Sequence, residues 1–169
     1  DNFREVIRTA LEYASGGERI VTVGITPTRP ETGYGYIQAS PDLSAYSQTM
    51  TGSVIPVSSF KEKPSLDIAK LYLAAGNYYW NSGMFCFKAG VFLDELKIHS
   101  PEIYEASKIA FENAIGTETL VSAKGEVKTS LPNLIRIKHE DMANIPEDSI
   151  DYALMEKSNI VKVIPSNIS

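Results

Sequence analysis

Apolar residues near the start of the chain, Phe3, Val6, Ile7, Ala10, Leu11 and Ala14, recur at spacings of three and four. That period predicts a helix with one buried stripe, stopped by Gly16-Gly17. Arg19 to Ile25 changes the pattern. Its β-branched run (Ile20, Val21, Thr22, Val23, Ile25) has little polar interruption, which predicts a strand covered on both faces of an α/β sheet. Beyond Thr26, Pro27, Pro30, Gly33 and Gly35 take the chain out of the sheet into an aromatic loop that includes Tyr36-Ile37-Gln38-Ala39. Ser40 to Gly52 is polar and turn-like, and Ser53 to Lys63 predicts a second strand ended by Pro64. Ser65 is placed to cap a helix with apolar positions Ile68, Leu71, Tyr72 and Ala75, ending at Gly76.

Tyr78 to Gly83 reads as a second aromatic loop, before a short strand around Met84 to Phe87 and a helix from about Gly90 to Ile98. Ser100-Pro101-Glu102 combines a cap, a proline for the first turn and a carboxylate for the positive end of the dipole. The helix it opens should bury Ile103, Ala106, Ala110, Phe111 and Ala114. Thr117 to Lys138 has no dominant period. Pro146-Glu147-Asp148-Ser149 opens a last short helix through Lys157, and Ile160 to Ile164 closes with a strand. There is no internal repeat or linker. Because a helical pattern begins almost at Asp1 and a strand-like run ends just before Ser169, the expectation is a piece of a longer chain.

The composition narrows the function classes. With 169 residues, 43% hydrophobic and 22% charged, the chain can bury a single core. A net charge of -5, with Lys and Arg scattered, excludes the basic surface that nucleic acid requires. No apolar stretch approaches the roughly 20 residues that cross a bilayer, so neither membrane nor nucleic acid is an expected partner. The single cysteine, Cys86, permits no internal disulfide; it reads as a buried free thiol in a cytoplasmic protein. His99 and His139 have no metal-ligand spacing, and no phosphate-binding glycine loop occurs.

Four places exceed what a bare core needs. Gly33-Tyr34-Gly35 lets the backbone approach a ligand between tyrosines, although a tight aromatic turn explains it as well. Glu62 and Lys63 end a strand, where a carboxylate suits sugar hydroxyls and an ammonium suits phosphate, although a solvated strand end is the plainer reading of the residues alone. In a regular strand they point to opposite faces, so serving one ligand requires a backbone break, for which Pro64 gives a reason. Asn81 offers a donor and an acceptor in an aromatic setting, or caps its own turn. Asp151 and Glu156 fit a solvated helix face.

Taken in order, Glu31 to Ile37, Phe60 to Pro64, Tyr79 to Phe85 and Ser149 to Lys157 resemble the bacterial mannose-1-phosphate guanylyltransferases over nearly the whole chain. The resemblance implies an α/β, Rossmann-like nucleotidyltransferase fold with a mixed, mostly parallel sheet flanked by helices. Residues 1–169 would be the central and C-terminal part of that one domain, lacking the N-terminal nucleotide-binding segment. It implies transfer of GMP from GTP to mannose 1-phosphate, giving GDP-mannose and pyrophosphate. The Gly33-Tyr34-Gly35 backbone would lie along the sugar, with Glu62 on its hydroxyls, Asn81 reading their pattern and Lys63 positioning the phosphate. Asp151 falls in a family motif without an implied ligand role. Mg²⁺ is the implied cofactor, its ligands outside this chain, so no metal-binding residue is expected here. The segment alone should be inactive, and a homo-oligomer is compatible with the family. Another sugar-1-phosphate nucleotidyltransferase, or a non-catalytic sugar-phosphate-binding domain, is the alternative.

Overall fold

The computed structural model describes residues 2–41, 47–49, 52–116 and 135–167. They fall into two compact units, residues 1–95 with 149–169, and residues 96–148. In the first unit, helix α1 (Asn2–Ser15) buries Val6, Ala10 and Ala14, one turn apart, against Val21, Val23, Val54 and Ile164. Thr9 is buried on the same helix because its hydroxyl is satisfied locally, donating to the Glu5 carbonyl at 2.9 Å. Phe3 and Leu11, expected in the buried stripe, are instead exposed, Leu11 by 57%.

Strand β1 (Ile20–Ile25) is buried along nearly its whole length, as its apolar run predicts. The other strands are β2 (Tyr36–Ala39), β3 (Ser47–Thr49), β4 (Gly52–Lys61), β5 (Tyr78–Phe87) and β8 (Val161–Ser166). Their order is β2-β5-β1-β8-β4-β3, and β2 also pairs with β4, so five of them form a closed ring. The sheet is mixed, as expected, but not mostly parallel. Only β1 and β8, the two deeply buried strands, run parallel; the remaining described pairings of this sheet are antiparallel. The half-buried pattern of β5 fits that geometry, since antiparallel strands tolerate a polar face.

Two segments expected to be loops are strands. Tyr36–Ala39 pairs with both β4 and β5. Tyr78 to Gly83 belongs to β5, interrupted where Thr22 pairs with Phe85 but Gly24 with Asn81, so Ser82 to Met84 bulge outward. Gly83 takes φ 72° there. Of the Ser40–Gly52 stretch, residues 42–46 and 50–51 lie outside the described residues, as do residues 117–134 of the unpatterned segment.

Helix α2 (Leu66–Ala75) has the expected caps: Ser65 Oγ accepts from the Ile68 N–H, and Gly76 closes it at φ 74°. Its buried residue is Ala69, set against Tyr36 and Trp80, with Tyr72 stacked on Tyr78 at 4.0 Å. Ile68 and Leu71 are exposed, contrary to the helical-stripe expectation; the helix meets the aromatic cluster through Ala69 and Tyr72 instead. Cys86 is half-buried rather than fully buried, and that burial pushes its thiol pKa up.

Helix α3 (Ala89–His99) runs from the first unit into the second, which contains α4 (Pro101–Glu112), a two-stranded ladder of β6 (Ile115–Gly116) and β7 (Ile135–Arg136), and α5 (His139–Ala143). Pro101 occupies the first turn of α4, but Ser100 makes no capping hydrogen bond. Ala110 is buried and Phe111 exposed, so the expected face of α4 is only partly correct. The last helix is shorter than expected, a π-helical turn over Asp151–Met155 that buries Ala153, Leu154 and Met155. Among the described residues no helix is long and apolar enough to cross a membrane.

Candidate functional site

A cleft of about 750 Å³ opens beyond the carboxyl ends of β1 and β8. Thr26 follows β1 and Asn167 follows β8; Arg29, Tyr34, Trp80 and Asn81 complete much of the wall. Tyr34 meets Trp80 edge to face at 5.3 Å, and the Arg29 guanidinium stands 5.6 Å over the Trp80 ring. Trp80 is 8% exposed, and its Nε1–H is buried without a hydrogen-bond partner. A buried orphan donor of this kind costs about 1–3 kcal/mol.

The turn carrying Gly33 is built by Glu31. Its Oε1 accepts from the Thr32 and Gly33 N–H groups at 3.1 and 3.2 Å, and its Oε2 pairs with Arg29 Nε at 3.2 Å. Those bonds, the Gly33 N–H foremost, hold the Glu31 carboxyl pKa below its ordinary value. Tyr36 pins the turn from beneath, donating its hydroxyl to the Glu31 carbonyl at 2.8 Å while accepting from the Glu31 N–H at 2.9 Å.

Gly35, Glu62 and Asn81 converge next to this turn. A Cβ on Gly35 would stand 2.5 Å from Glu62 Oε2 and 3.3 Å from Asn81 Cβ, so the missing side chain is what lets them approach. The Gly35 carbonyl accepts from the Asn81 N–H at 2.8 Å, and the Tyr34 carbonyl accepts from the Lys63 N–H at 3.2 Å. Lys63 takes φ 45°, the left-handed break that places Glu62 and Lys63 on one side of the chain. Its Nζ lies 3.6 Å from Glu62 Oε1, with the Lys63 side chain 66% exposed and that of Glu62 only 15%. Asn81 does bond its own turn, its Oδ1 accepting from the Gly83 N–H at 3.0 Å, but its Nδ2 also donates to Asp151 Oδ1 at 3.1 Å.

Burial raises the Asp151 carboxyl pKa above the ordinary aspartate value, against the lowering effects of the Asn81 hydrogen bond and the Lys63 charge. Burial likewise raises Glu156, with Lys61 opposing it and Glu62 and Asp151 adding to it. The unfolded chain releases the Asp151 proton more readily than the folded one, so the stability linked to that proton is present below the ordinary aspartate pKa and lost as pH rises through the raised folded value. Asp151→Asn is therefore expected to melt higher than wild type at neutral pH, by a margin that shrinks as pH falls to about 4 and below. A margin constant across that range in thermal melts would refute this.

Of the sequence-predicted residues, Tyr34 and Asn81 line the cleft; Gly35, Glu62 and Lys63 cluster around Asn81, and Gly33 lies on the exposed turn. Thr26, Arg29 and Trp80 were not foreseen as site residues. Trp80 directly precedes Asn81, but nothing in the sequence tells a cleft-lining tryptophan from a core one. Among the described residues no group of three or more His, Cys, Asp or Glu side chains is arranged to hold a metal ion.

Residues 1–124 match the family model described as nucleotidyl transferase. Mannose-1-phosphate guanylyltransferases of Escherichia coli (strain K12) and Salmonella montevideo are 42% identical over 165 residues and 41% identical over 167. These alignments cover 98% and 99% of this chain but 31% and 32% of those proteins, so the chain spans about a third of the length of the curated relatives it matches. Among solved structures, one described as mannose-6-phosphate isomerase from Helicobacter pylori has a TM-score of 0.77 at 33% identity, covering 99% of this chain and 57% of that one. Another, described as mannose-1-phosphate geranyltransferase from Thermus thermophilus, has a TM-score of 0.70 at 32% identity, covering 97% and 39%.

Proposed function

Because the chain belongs to the nucleotidyl transferase family, we propose that it supplies the sugar-phosphate site of a mannose-1-phosphate guanylyltransferase, the activity after which its relatives are named. In that reaction a phosphate oxygen of mannose 1-phosphate attacks the α-phosphorus of GTP. A new O–P bond forms, the bond to the β-phosphate breaks, and pyrophosphate leaves with GDP-mannose as product. The observation that carries the proposal is the meeting of a carboxylate, a cation and an amide around Gly35, beside an aromatic-walled cleft. Glu62 accepts from sugar hydroxyls, Asn81 reads their pattern, and Lys63 meets the phosphate. Tyr34, exposed at the cleft wall, offers its ring to the sugar, and the Gly33-Tyr34-Gly35 backbone runs along it.

The nucleophile is already anionic and needs no strong base. The contribution of these residues is alignment and charge neutralisation. A divalent cation, which we take to be Mg²⁺, would neutralise charge on the triphosphate when bound; the described residues do not fit its site, and its ligands and those of GTP are assigned to other parts of the longer protein. The Rossmann-like sheet is assigned to that longer protein too, with β1 and β8 as its parallel pair in this chain. A cytoplasmic setting and a homo-oligomer complete the proposal.

In the intact protein, Lys63→Ala is expected to raise KM for mannose 1-phosphate about tenfold or more while KM for GTP holds, the loss of one charge-assisted hydrogen bond. Unchanged sugar-phosphate kinetics would remove Lys63 from the site. A panel of sugar 1-phosphates and nucleoside triphosphates decides the substrate. Preference for glucose 1-phosphate with dTTP would point to a sister activity, and no pyrophosphate release with any pair would leave a binding domain.

A further inference from the structure

We propose that Asp151 is a positioning residue of this site: it fixes the orientation of the Asn81 carboxamide, and with it which donor and acceptor that side chain presents to a sugar hydroxyl. The inference rests on the sugar-phosphate reading above and goes one residue beyond it. An asparagine amide has two donor hydrogens and an oxygen with two lone pairs, and a flip exchanges their places. At Asn81 both ends are constrained. The backbone is held by the bond from its N–H to the Gly35 carbonyl, 2.8 Å. The Gly83 N–H can only donate, so it takes Oδ1 at 3.0 Å; an ionised Asp151 can only accept, so it takes Nδ2 at 3.1 Å. A flipped amide would set oxygen against carboxylate and N–H against N–H. One N–H and one lone pair remain for a ligand, in fixed places.

Asp151 itself is held firmly. The π-helical turn is anchored by buried Ala153, Leu154 and Met155, by the Tyr152 N–H donating to Ser149 Oγ at 3.3 Å, and by the Glu156 N–H donating to the Asp151 carbonyl at 2.9 Å. π-Turns of this kind recur at functional sites. The anchoring comes from those residues, while the carboxylate, whose pKa burial raises, accepts from Asn81 Nδ2. Its side-chain partner is Asn81, with the Lys63 charge acting on it from the end of β4 and Glu156 from its own turn.

The test uses the intact protein with Asn81→Ala, Asp151→Ala, Asp151→Asn and the Asn81→Ala/Asp151→Ala pair, measuring kcat and KM for both substrates. Asp151→Ala is expected to raise KM for mannose 1-phosphate about tenfold, with kcat and KM for GTP within about twofold. Preference over glucose 1-phosphate, which differs only at the C2 hydroxyl, should narrow. Asp151→Asn keeps an oxygen acceptor and should recover most of the loss. On the Asn81→Ala background, Asp151→Ala should add less than about twofold, because its route of action is gone. Equal losses from Asp151→Ala with and without Asn81, or a joint rise of both KM values with a fall in Tm, would overturn the assignment. If Asn81→Ala is impaired and Asp151→Ala is not, only the Asp151 inference falls; if Asn81→Ala itself behaves as wild type, the site reading falls and this inference with it.

Discussion

Gly24→Ala is expected to lower the unfolding free energy by about 3 kcal/mol, the upper end of what overpacking a core costs. Gly24 lies in β1 between β5 and β8, opposite Asn81 on one side and Pro165 on the other. An added Cβ would meet Tyr79 Cβ at 2.7 Å and Val163 Cγ2 at 2.7 Å. Comfortable carbon contacts are about 3.5–4.0 Å, so something must move by roughly 1 Å. Tyr79 Cβ is one bond from the backbone and cannot swing away. The strand itself has to shift, and β5 carries Trp80 and Asn81 into the cleft. In a domain of this size the change corresponds to a fall in Tm of about 6–12 °C. Gly90→Ala is the control of opposite sign. Nothing lies within 4 Å of its Cβ position in the first turn of α3, and replacing a helical glycine there should gain about 0.5 kcal/mol, less than the interior value. Equal melting temperatures for the two variants would contradict the packing around Gly24.

The contrast between α1 and α2 explains which parts of the fold were legible in the sequence. The period of α1 gave the helix and its stop, and Val6, Ala10 and Ala14 do face the core. Periodicity does not say how wide the buried stripe is, and so Leu11 on its edge faces solvent while Thr9, polar but satisfied within its own helix, is buried. In α2 the caps were readable because capping is local chemistry, whereas the choice of Ala69 as the buried residue depends on Tyr36 and Trp80, remote in sequence. Strand direction is no more local: the family resemblance implies a mostly parallel sheet, yet β2 pairs antiparallel with both β4 and β5 through contacts that no local pattern encodes. At the site, Pro64 rightly signalled the break at Lys63 that brings it beside Glu62. Asp151 was visible as part of a motif but its partner was not, since Asn81 stands seventy residues earlier.

Gly35→Ala is expected to do the reverse of Gly24→Ala, leaving Tm within a few degrees and lowering kcat/KM for mannose 1-phosphate about a hundredfold in the intact protein. The closest conflict, 2.5 Å to Glu62 Oε2, falls on the tip of a flexible side chain that can rotate, and the next, 3.3 Å to Asn81 Cβ, asks for a shift of only a few tenths of an ångström. Stability is therefore spared and geometry is not. Once the carboxylate swings, it leaves the place where it would accept from the sugar, and the Lys63 ammonium 3.6 Å from it loses its neighbour. Displacement of a binding group by about 1 Å is enough for a hundredfold loss. Gly33 separates this cause from a general need for glycine. Its Cβ position is 3.6 Å from Glu31 Oε1, an ordinary contact, and it has no positive φ. Gly33→Ala should stay within about threefold of wild type, since no group has to move. Placing Gly35→Ala on a Glu62→Ala background completes the test. With the carboxylate already gone the alanine should add little, whereas a full further loss would mean that Gly35 acts through its own backbone and not through Glu62.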